Sequence, residues 1–226
     1  MAIPRELEPE FVDTAEESQN YRDMDHDAVN SRFVTDLLAG GEVGTRVVDM
    51  GCGPCLIPVE LCNRDPNVQV MGLDAAMEML ELARFEIECG GMVERIFLEH
   101  ADVKSMSYFD EDMADTVISN TLLHHLAQPE LAIQSAIRIV KPGGRLFIRD
   151  LIRPGSEADV QKLVALHAGE AEAAGKQLLT QSLRAALTLE EIRSLASALG
   201  ISDDHVQMSS DRHWTLDWQH PGSPEA

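Results

Sequence analysis

Two acids, a glycine pair and two adjacent histidines are the residues of this chain whose types and spacing could do chemistry. Asp49-Met50-Gly51-Cys52-Gly53-Pro54 follows the β-branched pair Val47-Val48. A short apolar run that closes on an acid and opens into glycines reads as a buried strand entering a turn, because glycine admits backbone angles and a close ligand approach that a Cβ forbids. Beyond the turn the apolar positions Leu56, Ile57, Val59 and Leu61 restart, so strand, turn and helix form the first unit of a nucleotide-binding α/β sheet, with its ligand at the strand's carboxyl end. Pro54 and Pro58 fit this reading, since proline is tolerated in a first helical turn. A dinucleotide site would carry a third glycine where Leu56 stands, and that departure points away from nicotinamide. Cys52 and Cys55 form a C-x-x-C inside the same turn, but no second cysteine pair completes a zinc site, so no metal is expected there.

With Asp49 before the glycines and Asp74 after the next strand, the stretch resembles motif I of the class I S-adenosylmethionine-dependent methyltransferases. The resemblance extends from about Asp25 to about Asp150. It implies a Rossmann-like, doubly wound, mostly parallel sheet of seven strands with an antiparallel last strand inserted beside the fifth, and S-adenosyl-L-methionine as cofactor. Within it Asp49, Gly51, Cys52 and Gly53 form the cofactor turn. Asp74 stands where one carboxylate can accept hydrogen bonds from both vicinal ribose hydroxyls. The family places Ala75 and Met79 near adenine and ribose, and Asp102 with Val103 match its adenine-reading pair, a carboxylate beside a backbone N–H. Tyr21, or His26, matches a segment that closes on the methionine end of the cofactor; a surface turn packed on the core is the competing reading.

Ser119-Asn120-Thr121-Leu122-Leu123-His124-His125-Leu126 resembles motif IV of small-molecule methyltransferases, as in the quinone-biosynthesis branch. Asn120 ends a strand, where its backbone or amide can meet the cofactor or the acceptor. His124 and His125 are the catalytic candidates, because a histidine beside the acceptor can remove its proton at a pH near neutrality. Being adjacent, they cannot share one helical face, so at most one is expected to enter the pocket. The alternative is that both simply cap and pack the loop.

The elements that must position these residues follow from periodicity. Val29 to Leu38 reads as a helix stopped by Gly40-Gly41, followed by a strand at Arg46–Met50 and a helix near Leu56–Cys62. Strands are expected at Val68–Asp74, around Ile96–Glu99 and at Ala114–Asn120, with a helix carrying Met79, Leu80 and Leu82 after the first of them. Glu130 to Val140 is amphipathic, and Lys141-Pro142-Gly143-Gly144 predicts a tight turn into a strand at Arg145–Asp150. Ser156 to about Ala186 reads as alanine-rich and helical, and the resemblance implies that it is a helical lid on the acceptor side. Thr188 with Glu191 is a capping box for a helix that ends at Gly200, and His205–Ser209 and His213–Trp218 form the closing strand pair, with Trp214 and Trp218 in the core. Residues 1–24 are expected to be a flexible arm, 25–220 a single domain with its lid at about 156–186, and 221–226 a disordered tail.

Composition narrows the acceptor. In 226 residues, 18 Lys and Arg face 39 Asp and Glu, a formal net charge of −21 that would repel a phosphate backbone, so a small molecule is expected and nucleic acid is not. No run approaches the roughly 18 apolar residues of a membrane helix, and the acidic, proline-containing start is unlike a signal peptide, so a cytoplasmic protein is expected. The sequence leaves the oligomeric state open. The expected reaction is direct in-line transfer of a methyl group to a small acceptor. Two rivals stand beside it: a protein that binds the cofactor without transferring its methyl, and a thiol or metalloid methyltransferase using Cys52, Cys55, Cys62 or Cys89.

Overall fold

The structure, a computed structural model, describes residues 3–8 and 27–222. These build α1 (Asp27–Ala39), β1 (Arg46–Met50), α2 (Leu56–Arg64), β2 (Gln69–Asp74), α3 (Met77–Cys89), β3 (Ile96–His100) and β4 (Ala114–Asn120). They continue through α4 (Pro129–Ile139), β5 (Val140–Leu151), α5 (Glu157–His167), α6 (Ala173–Ala185), α7 (Leu189–Ala198), β6 (Val206–Met208) and β7 (His213–Gln219). The seven strands form one sheet in the order β3-β2-β1-β4-β5-β7-β6. β1 pairs in parallel with β2, Asp49 opposite Gly72, and with β4, Asp49 opposite Ile118. β7 runs antiparallel to β6, and its pairing with β5 is antiparallel too, Gly143 donating to the His220 carbonyl and His220 to the Gly144 carbonyl. The expected doubly wound sheet is therefore present, with the last strand inserted beside the fifth.

Strand order reverses between β1 and β4, and in such sheets the reversal opens a crevice outside the strands' carboxyl ends. Every residue of β4 but the last is buried, as are the last four of β1, so both strands are covered on both faces, as central strands of a parallel sheet are.

The chain divides into two compact units. The larger takes residues 27–120, 131–148 and 217–222 of the described chain. Its core gathers Phe33, Leu37, Leu61, Val70, Ile118 and Phe147, with Phe33 and Phe147 meeting edge to face at 5.1 Å. The entry to β1 is held by the Asp115 carboxylate, which accepts from the backbone N–H of Thr45 and Arg46 and pairs with Arg46 and Lys141. Lys141-Pro142-Gly143-Gly144 departs from expectation: α4 passes straight into β5, and these residues lie within the strand. At Gly143 and Gly144 the strand is paired by His220, whose backbone extends the β7 ladder. Gly143 holds φ 77°, a conformation that a side chain would strain.

The smaller unit takes residues 3–8, 121–130 and 149–216. Its core is Leu151, Val160, Val164, Ala168, Leu183 and Ala186. The segment read as one helical stretch is two helices, α5 and α6, with Gly169 in the break, where a Cβ would come within 2.5 Å of the Ala165 carbonyl. Ser156 caps α5, and the capping box at Thr188 and Glu191 is formed, each side chain reaching the other's backbone N–H. Trp214 and Trp218 are both buried. Tyr21, His26 and residues 223–226 lie outside the described residues.

Candidate active site

In the larger unit the turn after β1 is stitched to the end of β2. Gly51 and Cys52 both donate their N–H to the Leu73 carbonyl, at 2.8 and 2.9 Å, and Gly51, Gly53 and Cys55 all hold positive φ. Asp74 then joins two turns: its Oδ2 accepts from the Gly53 N–H at 2.8 Å and its Oδ1 from the Ala76 N–H at 2.9 Å. Each oxygen of an ionised carboxylate has a second lone pair, so Asp74 locks the turn while keeping acceptor capacity for a ligand diol. Burial pushes the Asp74 carboxyl upward, opposed by the N–H groups of Ala76, Gly53 and Ala75. Asp49 is 3% exposed, and burial, with the negative charge of Asp74, pushes its carboxyl up to about 8.

The other cofactor candidates sit at or just past strand ends. Ala75 follows β2 and its carbonyl meets His100 Nε2 at 3.0 Å; Met79 is half-buried in the first turn of α3. Asp102 lies two residues past β3, exposed, its Oδ1 accepting from the Lys104 N–H and pairing with Lys104 Nζ, while Val103 is buried. Asn120 is the half-buried last residue of β4. A nucleoside thiol ether or sulfonium fits this set: a positive-φ glycine turn at a strand's carboxyl end, and a carboxylate with two oxygens to offer.

Cys52 and Cys55 lie together, both sulfurs 3.0 Å from where a Cβ on Gly72 would stand, so the glycine in β2 is what admits the two thiols. The Cys55 hydrogen bond and then burial raise the Cys52 thiol well above its usual range, which keeps it protonated and poorly suited to ligate or attack. Among the described residues these two gain no third histidine, cysteine or carboxylate at ligand spacing. All four cysteines are free, and Cys89 is exposed.

In the smaller unit the chain leaves β4 through Thr121, whose φ of 54° is uncommon for a β-branched residue, and enters a 3-10 turn at Leu123–His125. Both histidines are brought together here: their rings lie 4.0 Å apart between centroids although the residues are adjacent in sequence. The reason is that each ring is held from outside the turn. His124 Nδ1 lies 2.6 Å from Asp150 Oδ1, and the His124 backbone N–H donates to Asp150 Oδ2 at 3.0 Å. His125 Nδ1 lies 3.1 Å from Glu8 Oε2.

His124 is 2% exposed and Asp150 1%. Burial disfavours the His124 imidazolium, but the Asp150 carboxylate outweighs it and the imidazole is raised above its ordinary value. Asp150 in turn is lowered, burial being overcome by His124 and by the N–H groups of Leu151 and His124. His125 is lowered, by burial and then by the charge of His124, with Glu8 acting the other way. A carboxylate on Nδ1 fixes the proton there and leaves Nε2 of His124 as the basic nitrogen.

Asp150 and Glu8 were not singled out by sequence reading. Asp150 carried a signal: it lies at the carboxyl end of β5, as Asp74 does at the end of β2. Glu8 carried none, since nothing local ties an arm residue to a turn more than a hundred residues away.

A family model described as a methyltransferase domain matches residues 42–200. The ubiquinone biosynthesis O-methyltransferase of Vibrio cholerae is 34% identical over 119 residues, 51% of this chain and 45% of that one. The 27-O-demethylrifamycin SV methyltransferase of Amycolatopsis mediterranei is 31% identical over 137 residues, 58% and 50% of the two chains. The chain thus spans about half the length of these curated relatives. Among solved structures, a protein of Methanococcus maripaludis provisionally described as a methyltransferase dependent on S-adenosyl-L-methionine superposes with a TM-score of 0.70 at 16% identity, covering 97% of this chain and 99% of that one.

Proposed function

The chain belongs to the class I S-adenosylmethionine-dependent methyltransferases, and from that premise we propose that it methylates a hydroxyl of a small organic acceptor, with His124 as the general base. The observation that carries the base assignment is the buried 2.6 Å contact between His124 and Asp150. One relative is named a ubiquinone biosynthesis O-methyltransferase and another a 27-O-demethylrifamycin SV methyltransferase, which supports oxygen as the atom methylated here.

Bound cofactor supplies an electrophilic methyl on a sulfonium, so little covalent chemistry is left to the protein. The residues that would hold it are the turn Gly51-Cys52-Gly53, with Asp74 for the ribose hydroxyls, Asp102 and Val103 for the adenine, and Asp49, Ala75, Met79 and Asn120 around them. Their work is orientation, worth several kcal/mol when a bimolecular step becomes effectively unimolecular. His124 accepts the acceptor's hydroxyl proton at Nε2, and Asp150 stabilises the imidazolium that forms. A negatively charged molecule with no helix among its described residues long and apolar enough to cross a membrane suits a small acceptor better than a nucleic acid.

The test is transfer of labelled methyl from S-adenosyl-L-methionine to a panel of phenolic and aliphatic alcohols. Labelled ether product supports the reading. Tight cofactor binding with no product across phenols, alcohols, amines and thiols would establish a binding protein instead.

A further inference from the structure

The first described residues of the chain, Ile3–Glu8, form an extended strap fastened to the smaller unit. The Glu6 N–H donates to the Arg184 carbonyl at 3.2 Å, and Arg5 Nε donates to the Ala185 carbonyl at 2.6 Å. Arg5 Nη2 reaches the histidine turn itself, donating to the carbonyls of His124 and Leu126 at 3.3 and 3.0 Å. These bonds fix the strap without help from the Glu8 side chain.

Glu8 nevertheless turns inward. Its side chain is 10% exposed, its Oε2 meets His125 Nδ1, and its Oε1 is buried with no hydrogen-bond partner among the described residues. Its carboxylate and one nitrogen of each histidine all lie within 4.8 Å of one another. A buried carboxylate needs partners, and Glu8 finds them in His125 and the Ser182 hydroxyl, which turns it toward the histidine pair.

We propose that Glu8 is a positioning residue of the histidine centre, holding His125 with its proton on Nδ1 as Asp150 holds His124, so that both rings present a bare Nε2. This rests on the reading of His124 as the base of methyl transfer. A neutral imidazole that donates at one nitrogen accepts at the other, and which nitrogen donates is set by its partner. Two imidazoles with centroids 4.0 Å apart cannot readily be protonated together, so the Glu8 charge also sets how easily the centre takes its one proton. The groups facing His124 are Asp150, Glu8 and Arg5; those facing His125 are His124, Glu8 and Asp150. The Ser182 hydroxyl hydrogen-bonds to Glu8, and Arg153, Glu191, Asp150 and Glu130 stand around Arg5. The strap thereby makes Glu8 part of the histidine centre.

The experiment is nitrogen NMR of the histidine side chains in the full chain, with wild type, Glu8→Ala and Glu8→Gln titrated in parallel. Wild type is expected to show His125 with its proton on Nδ1 above its titration midpoint. Glu8→Ala should lose that preference. Glu8→Gln should restore the tautomer, because its amide oxygen still accepts, while the midpoint of the pair falls by about half a pH unit for want of the charge. Tautomers and midpoints unchanged in both variants would overturn the proposal. So would one equivalent of divalent cation retained by the purified chain and lost in Glu8→Ala, which would make Glu8 a metal ligand. Binding of S-adenosylhomocysteine, measured on the same samples, separates the two readings. If wild type fails to bind it, the methyl-transfer reading falls whatever the histidines show; if it binds and the histidine signals ignore Glu8, only the strap proposal falls.

Discussion

Asp150 binds His124 twice, through the ring Nδ1 at 2.6 Å and through the backbone N–H at 3.0 Å, with both residues almost wholly excluded from water. One carboxylate therefore fixes where the imidazole sits, which way it faces and which nitrogen carries the proton. That is the arrangement expected of a general base and its orienting partner, and it goes beyond what packing a loop would need.

Replacement of His124 by Ala is predicted to lower turnover by about 10²–10⁴-fold with S-adenosylhomocysteine affinity nearly unchanged. Turnover should rise with pH through the His124 midpoint, above the ordinary histidine value because Asp150 raises it against burial. Asp150→Asn should move that midpoint down as well as slow the reaction. Steady-state rates from pH 5 to 9 on the three proteins check both statements. A pH profile unmoved by Asp150→Asn would remove the base assignment.

The pKa of Asp49 makes a prediction about stability. Its folded-state value of about 8 lies above the unfolded value near 3.8, so between those limits the folded chain holds a proton that the unfolded chain has lost. Stability from this group is fully present below pH 4 and drains away as pH rises through 8. Asp49→Asn, which cannot ionise, should lose less stability than wild type between pH 5 and 9, with a difference on the order of a few kcal/mol. Urea melts at the two pH values measure it.

Asp115 behaves in the opposite sense. Burial alone would raise it, but Lys141, Arg46 and the N–H groups of Arg46 and Thr45 hold it well below the carboxylate range. The folded chain stays ionised where the unfolded chain protonates, so this contribution is present above pH 4 and lost as pH falls. Asp115→Ala should destabilise by about 2 kcal/mol or more at pH 7, the scale of hydrogen bonds to a charged group, and by less at pH 3. Equal losses at both would contradict an ionic role.

Much of this was legible in the chain itself. β1 and β4 occupy the expected residues because β-branched runs bounded by glycine and polar residues have few other ways to fold. The capping box at Thr188 and Glu191 formed because its bonds are local. Where the outcome depended on partners far along the chain, sequence reading fell short. Gly143 and Gly144 became strand where His220 pairs with them, and Asp150 and Glu8 hold the two histidines from 26 and 117 residues away. Periodicity carries no trace of such meetings.

The central claim is that the glycine turn and Asp74 form an adenosyl site, and one calorimetric titration tests it most directly. Asp74→Ala removes the acceptor on which the ribose reading depends, at about 1.5–3 kcal/mol per bond to a charged group, and also the 2.8 Å bond that closes the Gly53 turn. Wild type is predicted to bind S-adenosylhomocysteine and not NAD, and folded Asp74→Ala to bind at least tenfold more weakly. Unchanged affinity in the folded variant, or preferential binding of NAD by wild type, would contradict the account.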